Sequence, residues 1–189
     1  MAAGRYLDSV LLGYFPKKPA LPANAPFGAQ VTRVCSVSHC INGPANEWIQ
    51  HWTHNDWGYY DTPGAALAIL DGLPDAAEFR LFAYRLLPAY FDGDGVRHEI
   101  ELAPGEPPVV PLDASFRSIG FDVVSRGISA YFECSPLSCN GMAKEVAGVN
   151  EDCLLPTLEA AVSFAERCAR EQPEPGAYYV LEVFEQHKP

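Results

Sequence analysis

The chain has 189 residues, 48% of them hydrophobic and 20% charged, which suits a packed core and argues against disorder. Its net charge is −11, and its 13 Lys and Arg residues never cluster beyond the pair Lys17-Lys18. Nucleic acid and anionic membrane surfaces both require clustered cations, so neither is expected as a partner, whereas a basic protein partner fits the charge balance.

No run of 18 apolar residues is present, and Asp8 precedes the short Val10-Leu11-Leu12 run. A membrane span and a secretory leader are therefore not expected, and a bacterial cytoplasmic location with reduced thiols is. The length fits a single domain over 1–189.

Residues 1–30 are a Pro-rich N-terminal segment in which Leu7 to Leu12 suits either a helix or a strand. Val31 to Ser38 is β-rich and predicts a strand. A helix is expected next, with Asn42 or Gly43 as cap, Pro44 in its first turn and Ala45, Trp48, Ile49 and Trp52 on one face. Thr62-Pro63 is a cap followed by a first-turn proline, and Gly72 closes that short helix. Glu78 to Tyr90 is apolar on both faces and predicts a central strand, paired through the Asp92-Gly93-Asp94-Gly95 turn with Val96 to Leu102. Two more strands are predicted over 118–125 and 128–134. Gly141 to Val146 reads as one or two helical turns. A long helix from about Pro156 should bury Leu158, Ala161, Val162, Ala165, Cys168 and Ala169. Tyr178 to Phe184 is the last strand. Helices do not alternate regularly with strands, so the expected class is α+β: a mostly antiparallel sheet of five or six strands with three or four helices packed on it.

Two stretches have nearly one form: Cys35-Ser36-Val37-Ser38-His39-Cys40-Ile41-Asn42-Gly43 and Cys134-Ser135-Pro136-Leu137-Ser138-Cys139-Asn140-Gly141. Each is followed by an Ala-rich helix, containing Ala65-Ala66 or Ala160-Ala161, which raises an internal duplication. Four thiols, Cys35, Cys40, Cys134 and Cys139, could in principle form a zinc tetrahedron. However, four residues between paired cysteines is the loose end of zinc spacing, and a core of this size needs no structural metal. Packing as small hydrophobes is the simpler role, and no metal or cofactor is expected. Cys139 ahead of a helix start could be an activated thiol, which leaves an enzyme open, but no base is assigned to it. Ser36, Ser38, Asn42, Ser135, Ser138 and Asn140, with Cys134 and Cys139, form the candidate binding set at the two turns. Asn42 and Asn140 double as expected helix caps. The segment 48–61 is dense in aromatic residues, and Trp57 or Tyr59 within it could form an exposed patch suited to protein contact. His51 and His54 are spaced to share a helix face, without a complete metal motif.

Glu133-Cys134-Ser135-Pro136-Leu137-Ser138-Cys139-Asn140, with Val149-Asn150, Cys153-Leu154 and Glu174-Pro175-Gly176-Ala177-Tyr178-Tyr179, resembles a group of uncharacterised bacterial proteins. The stretch Cys35 to Asp61 extends the likeness over most of 33–185. It implies a bacterial cytosolic protein and carries over no functional residue. The expected function is non-enzymatic protein binding, in an accessory or immunity-like role. The alternative is a small enzyme, or a small-molecule or zinc binder, with its site between the two Cys-Ser turns.

Overall fold

Residues 80–91 are buried on both sides of the strand over most of their length, which is the signature of a strand inside a sheet. The computed structural model describes residues 9–19, 27–37, 55–100, 110–126, 134–174 and 176–187. Within them lie five strands: β1 (Val10–Lys17), β2 (Arg80–Phe91), β3 (Arg97–Glu99), β4 (Phe116–Arg126) and β5 (Ala177–Gln186). Two α-helices, α1 (Pro63–Ala68) and α2 (Leu158–Glu171), and short 3-10 turns at Ala76–Glu78 and Met142–Lys144 complete the regular structure. All strand pairs are antiparallel, in the order β1-β2-β5-β4, with β3 added to the far end of β2. The α+β class is as expected from sequence.

β1 and β4 are the edges of the main path. Pro16, which cannot donate to a ladder, is tolerated in β1 because an edge strand leaves one side unpaired. The predicted strand over 31–38 is corrected for its described part, 31–37. Thr32 N and Arg33 N both donate to Glu151 O, Cys35 N donates to Asp152 O, and Val37 N donates to a side chain. No ladder forms from such bonds. In the described part of the strand expected at 96–102, residues 96–100, the strand is Arg97–Glu99, and Val96 is left in a tight turn because Asp92 accepts from Asp94 N and Val96 N. In α2, Phe164 joins the buried stripe while Leu158 and Val162 are only half-buried. The helix expected after Asn42, with Trp48, Trp52, His51 and His54, lies outside the described residues, as do 127–133.

The duplication suggested by the two turns is present in the architecture. Asn55 and Asn150 build the same loop. Their side-chain amides donate to Leu12 O and Ile119 O, each at 2.8 Å. Their side-chain oxygens accept from Trp57 N and Tyr59 N in one loop, and from Asp152 N and Leu154 N in the other. Each loop then bridges to an edge strand, Tyr60 to Tyr14 and Leu155 to Phe121. Each bridge needs a glycine beside it. A Cβ on Gly13 (φ +138°) would meet Tyr60 O at 2.6 Å, and one on Gly120 (φ +141°) would meet Leu155 O at 2.9 Å. Thr62 and Thr157 then cap α1 and α2 by accepting from Ala65 N and Ala160 N.

Register completes the symmetry. Gly13 pairs with Tyr84 and Gly120 with Val183, so Tyr84 and Val183 are equivalent. They also pair with each other, flanked by Ala83–Phe184 and Arg85–Glu182. An approximate two-fold axis thus passes between β2 and β5 and relates β1-α1-β2 to β4-α2-β5.

Equivalence predicts equal costs. Asn55→Ala and Asn150→Ala should each lower unfolding free energy in urea by about 2–3 kcal/mol, since each strands two backbone N–H groups and a carbonyl. A large loss at one site with none at the other would contradict the equivalence.

Candidate functional site

The two Cys-Ser turns meet. Ser36 Oγ donates to Ser138 Oγ at 2.6 Å, and Asp122 of β4 holds both turns: Oδ2 accepts from Val37 N and Oδ1 from Ser135 Oγ, each at 2.6 Å. From the opposite edge, Lys17 Nζ of β1 donates to Ser36 O. The backbone of Ser36-Val37 therefore spans from one edge strand to the other. All of these groups are buried, with Lys17 at 2% and Asp122 at 0% exposure.

A second ionic group borders the first. Arg33 forks onto Glu185 at 2.9 and 2.8 Å and donates through Nε to Asp152 at 2.5 Å. The bidentate geometry holds the guanidinium charged, its pKa raised by the Glu185 hydrogen bonds. Cys35 Sγ rests 3.8 Å from Asp152 Oδ1. Thus 33–37 is anchored to β5 and to the Asn150 loop before it reaches Asp122.

Burial dominates the titration of this site. It pushes the Asp122 carboxyl up to about 6 against the opposing pull of Ser135, Val37 and Lys17, and it lowers the Lys17 ammonium. The same desolvation pushes the Cys35 and Cys153 thiols up to about 12. Such thiols are almost wholly protonated at neutral pH, unsuited to nucleophilic attack or metal binding without a partner that displaces the proton.

The sequence-selected residues are distributed as follows. Ser36, Ser135 and Ser138 lie in the network, and their hydroxyls make contacts far along the chain in place of local helix capping. Cys35 lies beside them. Asn140 caps no helix: its amide donates to Pro173 O at 2.8 Å, and Gly141, with φ +65°, takes the cap position of the following 3-10 turn. That turn is only three residues long, too short to present a useful dipole to half-buried Cys139. Cys134 bridges to Ser125 of β4. Trp57 sits apart, with the Arg126 guanidinium 4.7 Å over its ring. Ser38, Cys40 and Asn42 lie outside the described residues. Among the described residues, no group of three or more His, Cys, Asp or Glu is arranged to hold a metal ion, and no helix is long and apolar enough to cross a membrane. The described histidines lie elsewhere: His98 contacts Asp92 at 2.6 Å, and His187 N donates to Ser115 O.

Sequence reasoning missed Lys17, Arg33, Asp122, Asp152 and Glu185. The signal for two of them was available: Asp122 interrupts the apolar run Phe121 to Val124, and Lys17 ends an apolar strand.

Compared with protein families, with curated proteins and with solved structures, the chain matches none.

The raised Asp122 pKa has a defined sign. The folded state holds this proton more firmly than the unfolded chain, so its stabilising contribution is full below about pH 4 and is lost as pH rises to about 6. Urea unfolding of wild type and of Lys17→Met/Asp122→Asn, compared at each pH, should show the difference falling by up to about 1.4 kcal/mol per pH unit in that window. A pH-independent difference would contradict the assignment.

Proposed function

We propose that the chain is a non-enzymatic protein-binding domain of the bacterial accessory or immunity type, and that its partner presents an apolar side chain among basic residues. The observation that carries this reading is the outer face of α1. Gly64, Ala65, Leu67 and Ala68 are exposed there without a single charge, Leu67 at 41%. In the equivalent turn of α2, Glu159 and Ser163 stand where α1 has Gly64 and Ala68, and Val162, the counterpart of Leu67, is half-buried where Leu67 is exposed. Val110, also exposed, is held beside the start of α1 by its N–H bond to Asp61 O at 3.0 Å. Asp71 is exposed at the far end, and Asp75 and Glu78 follow it, both paired with Lys18. A small apolar patch edged by carboxylates suits a partner of opposite charge, with the apolar contact supplying affinity and the charges steering approach. The enclosure of the Lys17–Asp122 network supports the same reading, since a reaction centre needs a route for its substrate.

Leu67→Glu should reduce affinity for such a partner at least tenfold and leave folding intact, because residue 67 already faces solvent. The check compares wild type, Leu67→Glu and Ser163→Glu on α2 as immobilised baits, then measures the dissociation constant of any captured protein after purification. A protein bound equally by all three would contradict the assignment of this surface.

A second reading places a small-molecule site where the two turns meet, and the Ser36–Ser138 contact favours it. It requires a ligand whose thermal stabilisation of the protein disappears in Ser36→Ala/Ser138→Ala.

A further inference from the structure

We propose that Asp71-Gly72, just beyond the C-terminal end of α1, is a covalent modification site: its aspartate converts spontaneously to isoaspartate, which loosens the turn tying α1 to the core. The chemistry does not depend on the binding role of α1.

The chain contains Asp-Gly three times, at Asp71-Gly72, Asp92-Gly93 and Asp94-Gly95, and the structure separates them. The reaction needs a carboxyl group free to turn towards the next residue, and a following amide nitrogen free to attack it. Asp92 fails the first requirement, because its carboxylate accepts from Asp94 N and Val96 N and contacts His98 Nε2 at 2.6 Å. Asp94 fails the second, because Gly95 N donates to Asp92 O at 3.0 Å. Asp71 meets both. Among the described residues, its carboxylate accepts no hydrogen bond and joins no ion pair, and Gly72 N donates to no group. Both residues are exposed. Gly72 has φ +85°, a backbone setting that favours glycine, and a Cβ placed on it would meet nothing within 4 Å. No side chain shields the attacking nitrogen, and the space around Gly72 is open.

The step balances with water alone. Gly72 N attacks Asp71 Cγ, a C–N bond forms, and the hydroxyl of the carboxyl group leaves with the nitrogen's proton as water. The product is a cyclic succinimide. Water then adds to either imide carbonyl. Cleavage at Cγ restores aspartate. Cleavage at the main-chain carbonyl leaves the chain running through Cγ, with the former main-chain carbonyl as the side-chain carboxylate. The water lost is regained, so mass and charge are unchanged and no oxidant or reductant takes part.

Isoaspartate lengthens the main chain where its spacing is fixed. Asp71 N donates to Ala68 O at 3.2 Å, and Leu73 N donates to Leu70 O at 3.0 Å across the Asp71-Gly72 pair. Leu73 packs against the same core cluster as Ile69 and Leu70. A longer path from Leu70 to Leu73 breaks the match between that bond and that packing. It also moves a carboxylate at the edge of the outer face of α1.

Incubation of the full chain at neutral pH, followed by digestion and separation of isomeric peptides of equal mass, tests this. A protease that cleaves before aspartate but not before isoaspartate assigns the position. Isoaspartate should accumulate at residue 71 at least about fivefold faster than at 92 or 94, the factor set by freeing a single hydrogen bond. In Asp71→Glu, whose longer side chain closes a less favourable ring, the isomeric peptide should be absent. Hydrogen exchange, read after quenching on the resolved isomers of the peptide spanning residue 71, should show the Leu73 amide exchanging at least about tenfold faster in the isoaspartyl form. The proposal is overturned by no isoaspartate at residue 71, by equal or faster formation at 92 or 94, by an isomeric peptide that persists in Asp71→Glu, or by identical exchange in the two isomers.

Discussion

Two buried charges on opposite edges of one sheet, joined through the backbone of Ser36-Val37, are the constraint on which the rest of this structure depends. A sheet edge exposes unpaired N–H and C=O groups, and proteins must cover them. Among the described residues, each edge receives brief bridges, from Tyr60 to β1 and from Leu155 and Cys134 to β4. The Lys17–Asp122 network adds a tie between the two edges themselves. Every bond in it is made in a desolvated setting, where a lost partner costs more than the bond contributes. The surrounding anchors, Arg33 on Glu185 and Asp152 and Cys35 N on Asp152 O, fix the segment so that both ends find their partners.

The fold around that tie is a duplicated unit of strand, asparagine loop, capped helix and strand, closed about the Tyr84–Val183 pair. What the two copies share is backbone geometry: the glycine at the loop crossing, the asparagine that accepts two amides, the threonine cap. What they do not share is chemistry. Cys153 occupies the left-handed backbone position of Gly58, at φ +60° against +82°. Asp122 replaces Phe15, and Glu159 and Ser163 of α2 stand where α1 has Gly64 and Ala68. The differences fall in the Lys17–Asp122 network and at the outer surface of α1.

Much of the frame was legible in the sequence because it rests on local rules. Thr62-Pro63 and Thr157 announce their helices, and residues 80–90, apolar on both faces, announce a central strand. The Cys-Ser repeat marked the two turns but left open whether they meet; the Ser36–Ser138 contact shows that they do. Three features were illegible for physical reasons. The 31–37 segment has β-rich composition, but its amides are claimed by Glu151, Asp152 and Asp122, far along the chain. Asn140 has the residue type of a cap, yet its amide is claimed by Pro173. The thiols drew attention as the reactive groups, whereas burial silences Cys35 and Cys153 and leaves the responsive chemistry to Lys17 and Asp122. Their significance depends on a spatial neighbour no spacing rule describes.

The central claim is that Lys17 and Asp122 act as one unit through the segment between them. A double-mutant cycle with Lys17→Met and Asp122→Asn, followed by urea unfolding at pH 7, measures it most directly. Each single variant leaves one charge buried without its partner and should lose about 3 kcal/mol or more, while the double variant should lie within about 1 kcal/mol of wild type. Additive losses, with the double variant as unstable as the two singles combined, would contradict the account.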